Sequence, residues 1–253
     1  MSVPVLILAA TGTNRDKDAA WAVELAGGAP RIAHVNELGS VRLRDHAMLV
    51  LPGGFSYGDD LGAGKLWAVA LRHRLRDELT EFVEGGRPVL GICNGFQVLV
   101  KAGLLPGLGE TMAQRQAVTL TRNDSARFEC RWVTLAANAA SPCVFTQGVE
   151  EIMCPVAHGE GKVACDEGVL AEIEGRGLVA LRYGSGYPQN PNGSANDIAG
   201  LCNPAGNVLG LMPHPENYVV PEQHPRFHRG ERGGSGLPLF AAGVRYAAQL
   251  GGA

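Results

Sequence analysis

Two short segments hold the side chains best suited to chemistry. Gly91-Ile-Cys-Asn-Gly95 places a cysteine between glycines, and Pro213-His-Pro-Glu216 places a histidine two residues before a carboxylate. A thiolate attacks an acyl carbon, an imidazole carries protons to and from the reacting atoms, and a carboxylate holds the imidazole in one orientation. Cys93 is therefore read as the nucleophile, His214 as the acid and base, and Glu216 as the group that orients His214. Singly, each has a plainer explanation: a buried thiol beside a tight turn, or a surface His and Glu pair. Their joint presence points to acyl transfer through a thioester, which requires no metal or cofactor in the chain.

The elements around these groups are expected to position them. The aliphatic residues Val89, Leu90 and Ile92 predict a buried strand, and Asn94 to Ala102 a helix. A strand, a sharp turn at Cys93 and a helix make a nucleophile elbow, and Gly95 is expected to permit the turn. The free N–H groups and dipole at the helix start favour a thiolate. Residues two apart in extended chain point the same way, so Glu216 is expected beside His214, with Pro213 and Pro215 stiffening the segment.

Further strands are predicted at Val3 to Ala9, Arg31 to Val35, Ala47 to Leu51 and Val208 to Met212. Helices are predicted over Asp16 to Ala26, stopped by Gly27-Gly28, and over Phe240 to Leu250. A third spans Lys65 to Glu84, where Leu71, Leu75, Leu79 and Phe82 recur at helical spacing. This alternation predicts an α/β fold with a doubly wound, mostly parallel sheet flanked by helices. Ligands of such sheets sit beyond the carboxyl ends of the strands, so Pro52-Gly-Gly54 should share an edge with Cys93. Backbone N–H groups of Gly53 or Gly54, with that of Asn94, are candidate donors to the oxyanion of a tetrahedral intermediate. Residues 117 to 138 read as an antiparallel pair broken at Asn123-Asp-Ser125, and Tyr187 to Asn196 as a surface or lid loop or a plain connection.

At 253 residues with 45% hydrophobic composition, the chain suits one domain over 1–253. A formal charge of −3 with no basic run argues against nucleic acid and anionic membrane as partners. Six cysteines without a Cys-x-x-Cys pair, and no secretory signal, fit reduced thiols in the cytoplasm. The run Val3 to Ala10 is too short to span a membrane.

Five ordered segments carry a family resemblance: Pro52-Gly-Gly-Phe-Ser-Tyr-Gly-Asp59, Gly91-Ile-Cys-Asn-Gly-Phe-Gln97, Ala157-His-Gly-Glu-Gly161, Asn190-Pro-Asn-Gly-Ser194 and Met212-Pro-His-Pro-Glu216. From about Gly12 to Glu216 the chain resembles the glutaminase subunits of phosphoribosylformylglycinamidine synthases, within the class I glutamine amidotransferases. The resemblance implies a flavodoxin-like amidotransferase fold with a small antiparallel addition, and a role in purine biosynthesis. It implies that glutamine is hydrolysed through a γ-glutamyl thioester on Cys93, with Gln97 and His158 helping to hold the glutamine. The ammonia would pass to a synthetase partner that binds ATP, magnesium and formylglycinamide ribonucleotide, sometimes with a small third subunit.

Gly58 to Lys65 superficially resembles a phosphate loop but has Leu66 where a magnesium-binding Ser or Thr belongs, so it is expected at the partner interface or the glutamine pocket. Two positions depart from the family pattern: Arg15, where a cysteine is common, and Leu61-Gly-Ala-Gly-Lys65, which is closer to long single-chain synthases. Met1 and the closing helix suggest a whole subunit. Two other readings stand beside the glutaminase: a non-catalytic regulatory or scaffold module of the same fold, and a stand-alone cysteine hydrolase of the superfamily.

Overall fold

Uninterrupted aliphatic runs become strands buried on both faces, and the glycine pairs between them end the helices. The computed structural model describes residues 2–113, 116–232 and 235–251. In the first half the order is β1 (Val3–Ala9), α1 (Asp16–Leu25), β2 (Gly28–His34), β3 (Met48–Leu51), α2 (Lys65–Arg74), α3 (Arg76–Glu84), β4 (Val89–Ile92) and α4 (Asn94–Ala102). The second half adds β5 (Thr119–Arg122), β6 (Glu129–Ala137), β7 (Glu151–His158), β8 (Glu160–Ala164), α5 (Glu167–Gly175), β9 (Val179–Tyr183), β10 (Ile198–Cys202), β11 (Val208–Leu211) and α6 (Leu237–Leu250).

Nine strands form one sheet in the order β2-β1-β3-β4-β11-β10-β9-β6-β7. The pairings from β2 to β11 are parallel, as βα units require, and those from β11 to β7 are antiparallel. The antiparallel addition has a second part, a separate ribbon of β5 and β8. Strand β4 lies fully buried between β3 and β11, so whatever leaves its carboxyl end is flanked by the loops that leave those two neighbours.

The chain differs from its expected outline in four places. The helix over 65 to 84 breaks at Leu75, whose φ of −128° lies outside the helical region while its side chain turns into the core. Leu71, Leu79 and Phe82 stay buried on either side, so one apolar stripe serves two helices. Strand β2 starts at Gly28, earlier than its apolar residues suggest, because its register with β1 begins at Val3. Strands β5 and β6 exist but do not pair with each other; β5 pairs with β8, and β6 lies between β7 and β9.

The fourth difference is the polar stretch around Asn190-Pro-Asn-Gly-Ser194, which is an internal brace. Asn190, Asn192 and Ser194 are buried. Asn192 donates to the Gly161 carbonyl at 2.9 Å, and the Ser194 hydroxyl accepts from the Val163 N–H at 2.9 Å. The side chains satisfy one another and the β8 backbone, which makes a buried polar loop tolerable.

Gly95 has a role other than the expected one. Its own φ is not positive, but a Cβ there would lie 1.9 Å from the Leu51 carbonyl oxygen and 2.9 Å from Leu51 Cβ. A bare Cα at this position lets α4 press onto β3. Gly95→Ala is expected to destabilise the chain by about 3 kcal/mol through overpacking against rigid backbone. Its denaturation midpoint in urea should fall accordingly, and an unchanged midpoint would show that α4 has room to shift.

Candidate active site

Cys93 sits at the corner between β4 and α4 with φ 50° and ψ −104°, a conformation that a residue with a Cβ rarely adopts. The strain of the elbow is thus carried by the cysteine itself, and the surrounding structure holds it there. The Cys93 N–H donates to the Leu211 carbonyl at 2.8 Å, tying the corner to the end of β11. At Gly91 a Cβ would lie 2.5 Å from Leu99 Cδ1, so this glycine lets α4 fold back over its own strand. Asn94 opens α4, and the first N–H groups of a helix have no intrahelical acceptor.

Three residues past β11 the chain delivers His214 to the same edge. Its N–H donates to the Pro155 carbonyl at 2.8 Å, which anchors the turn to β7. His214 Nδ1 lies 2.6 Å from Glu216 Oε1, and both side chains are buried. With a carboxylate as acceptor, Nδ1 carries a proton and Nε2 is the nitrogen left for the reaction. Cys93 hydrogen-bonds the His214 side chain, and the two line one cavity of about 250 Å³. Burial works against a charged imidazole, but the charges and hydrogen bonds of Glu216 and Cys93 outweigh it and push His214 up to about 10. At neutral pH the ring is the cation that a neighbouring thiolate needs as counter-ion.

Both glycines of Pro52-Gly-Gly54 reach this edge, in different roles. A Cβ on Gly53 would lie 2.7 Å from His214 Cε1, so its bareness makes room for the imidazole. The Gly53 carbonyl accepts from the N–H groups of Asn14 and Arg15. Gly54, at φ 151°, lines the cavity beside Cys93. Gly54 shares the cavity wall with Cys93, Asn94 follows the cysteine at the start of α4, and the Cys93 sulfur lies 3.9 Å from the Ala157 carbonyl oxygen.

The cavity has two arms that meet at Cys93, Gly54, Phe55, Phe128 and Ala157. One continues past His214 to Asn14, Arg15 and Cys130. The other, of about 180 Å³, runs to Asp59, Ala63, Gln97, His158, Gly159 and Glu160. The rings of Phe55 and Phe128, with centroids 6.3 Å apart, are both exposed at the shared mouth.

In the second arm Gln97 lines the cavity, and its side chain and that of Asn94 are both structural. Asn94 Nδ2 donates to Gln97 Oε1 at 2.9 Å and to Asp59 Oδ1 at 3.3 Å, while its Oδ1 accepts from the Ser56 N–H at 3.2 Å. Gln97 Nε2 donates to the Glu160 carbonyl at 2.6 Å. His158 lines the arm, but its Nδ1 lies 3.1 Å from Asn123 Oδ1 and its ring covers Gly161. Burial first, and then the neighbouring His214 charge, push His158 down to about 3, so it stays neutral. The Gly58 to Lys65 loop supplies Asp59 and Ala63 to the cavity wall and leaves Leu61 exposed.

Asp59, Glu160 and Asn123 escaped individual notice in the sequence, although each lies in a segment already singled out. Asp59 and Glu160 each sit within one residue of a glycine in a loop that has no reason of its own to point an acid inward. Among the described residues, no cluster of three or more His, Cys, Asp or Glu side chains is placed to hold a metal ion.

The profile of the CobB/CobQ-like glutamine amidotransferase domain matches residues 2–247. A phosphoribosylformylglycinamidine synthase subunit PurQ from Treponema denticola is 47% identical over 269 residues, covering 97% of this chain and 99% of its own. The subunit PurQ of Dehalococcoides mccartyi is 44% identical over 255 residues, covering 98% of this chain and 99% of its own. Among solved structures, a chain of PurLQS from Thermotoga maritima superimposes with TM-score 0.75 at 34% identity, covering 97% of this chain and 99% of that one. The glutaminase domain of Trypanosoma brucei CTPS shares the fold at TM-score 0.55 and 13% identity, covering 98% of this chain and 94% of its own. With an elbow cysteine, a buried His and Glu pair and these full-length matches, the chain belongs to the glutamine amidotransferase family, among the PurQ subunits of phosphoribosylformylglycinamidine synthase.

Proposed function

We propose that Cys93, His214 and Glu216 carry the glutaminase half-reaction of phosphoribosylformylglycinamidine synthase in purine biosynthesis. The observation behind this is the meeting of an elbow cysteine with a carboxylate-held imidazole at one cavity. The Cys93 sulfur attacks the side-chain carbonyl carbon of glutamine, and the N–H groups of Gly54 and Asn94, with Gly53 shaping the wall, face the oxygen that gains charge. His214 gives its proton to the leaving nitrogen as the C–N bond breaks, which releases ammonia and leaves a γ-glutamyl thioester. His214 then takes a proton from water, the hydroxide adds to the thioester, and the C–S bond breaks to return the thiolate and free glutamate. Glu216 holds the ring in place through both steps. Gln97 and His158 hold the wall against which the glutamine lies.

The ammonia passes to a synthetase partner that amidates formylglycinamide ribonucleotide with ATP. ATP and magnesium belong to that partner, and a small third subunit completes the assembly in some relatives' arrangement; this chain's own step uses no cofactor. No helix of the described residues is long and apolar enough to cross a membrane. The free thiols of the described residues suit work in the cytoplasm.

The test is glutamate release from glutamine by the chain alone and with its synthetase, ATP and ribonucleotide. The isolated chain is expected to turn over slowly and docking to raise its rate at least about tenfold, since gated catalysis follows completion of a site on closure. Equal turnover in both states would remove the coupling to a partner. Release of glutamate in neither state would remove the glutaminase itself.

A further inference from the structure

His214 keeps its proton through one oxygen of Glu216, and the other oxygen of that carboxylate is idle. Oε1 lies 2.6 Å from His214 Nδ1, whereas Oε2 is buried and among the described residues no donor reaches it. A carboxylate oxygen left bare in the interior is costly, and native folds commonly give it a hydrogen-bond donor. The side chain beside it is therefore informative. Strand β7 turns Ile152, Cys154, Val156 and His158 inward in alternation, and Cys154 is wholly buried, facing Glu216. The His214 N–H that donates to the Pro155 carbonyl also faces the Cys154 sulfur, so this thiol backs both members of the pair. Burial first, and then the Glu216 charge, push the thiol well above its ordinary range, and it stays protonated and neutral.

A thiol is a weak donor, where a serine hydroxyl in the same place would be a strong one. A strong donor on Oε2 would hold the carboxylate's charge by itself and leave less of it for the imidazole. We infer that Cys154 is a positioning residue for the acid and base: it fills the space behind Glu216 without a competing hydrogen bond, so that the carboxylate has His214 as its one strong partner. The inference rests on the glutaminase reading and names a residue that tunes its proton carrier. The other groups around the pair are Cys93 at the elbow, Arg15 in the first arm of the cavity, the neutral His158 and the neutral phenol Tyr183. Helices α1 and α6, which also pack on the Pro215–Asn217 turn, bury only apolar residues. Each of these stays in place when residue 154 alone is exchanged.

The test compares Cys154→Ser, which adds a strong donor, with Cys154→Val, which fills the space with none, in the full chain with its imidazoles labelled for NMR. His214 should titrate near 10 in wild type and in Cys154→Val, and about one pH unit lower in Cys154→Ser. In the assembled complex the alkaline limb of kcat for glutamine should move down with it, because His214 must be protonated to release ammonia. Altered packing would lower the thermal midpoint of either variant, but it gives serine alone no reason to move the titration. His214 titrating alike in wild type and Cys154→Ser, or alike in the two variants, overturns the inference. Wild type carries a check of its own should a variant fail to fold: release of the His214 proton near its ordinary 6.5 also overturns it. The titration needs no turnover, so absence of glutamate release by the wild-type complex sinks the glutaminase reading separately.

Discussion

Cys93→Ala is expected to lower glutamate release by the assembled complex on the order of a thousandfold or more, because no other group can form the thioester and only binding and oxyanion contacts remain. The side chain is small and buried, so the variant should keep the fold and lose little stability. The residue also adopts φ 50° at the elbow, a strain that Ala bears no better and no worse than Cys. A rate within tenfold of wild type would remove the nucleophile. Alkylation separates this from a scaffold that merely kept the fold. Iodoacetamide should label Cys93 well before the buried Cys143, Cys154 and Cys202, because of these four thiols Cys93 is the one that lines the cavity beside a protonated imidazole.

Glu216→Gln should cost about 10²-fold to 10⁴-fold in kcat, since an amide neither holds the Nδ1–H tautomer nor stabilises the imidazolium. The 2.6 Å contact to Glu216, made in a fully buried setting, is what lets His214 keep its proton despite burial. The same contact has a signature in stability. In the folded chain His214 titrates at about 10 against its ordinary 6.5, so between those values the folded state binds a proton that the unfolded state has released. The stabilisation is complete below about pH 6.5 and is lost as pH rises through about 10. Thermal midpoints of wild type should therefore decline across that window, and the decline should shrink in Glu216→Gln. Parallel pH curves for the two proteins would show that the carboxylate does not hold the proton on His214.

The reaction centre was legible in the sequence because its parts are local. An aliphatic run into a glycine-bracketed cysteine determines the elbow by itself, and Glu216 two residues after His214 determines the pair. The parallel half was legible for the same reason: β1, α1 and β3 each carry their own periodicity and stop signals. What pairs with what in the antiparallel half was not, since β6 finds its partners in β7 and β9 and no local pattern names them. The Asn190 to Ser194 segment misled through composition. Its residues are those of exposed loops, and only the β8 backbone, distant in sequence, shows that their polar groups are satisfied indoors. Gly95 reads from its spacing as the residue that permits the turn, whereas its need is close contact with Leu51 of β3. The cavity acids were overlooked because an acid in a glycine-rich loop looks like any solvated turn residue until the two loops are seen to converge.

Strands β4 and β11, which launch the nucleophile and its base, occupy the fourth and fifth places in a sheet of nine. Fraying at either border therefore leaves the thiol and imidazole in register. The turn between β7 and β8, which brings Glu160 to the pocket, hangs from the outermost strand instead. The molecule thus pairs an anvil at its middle with a doorway at its margin, and an incoming subunit can reshape admission without disturbing the hammer stroke itself.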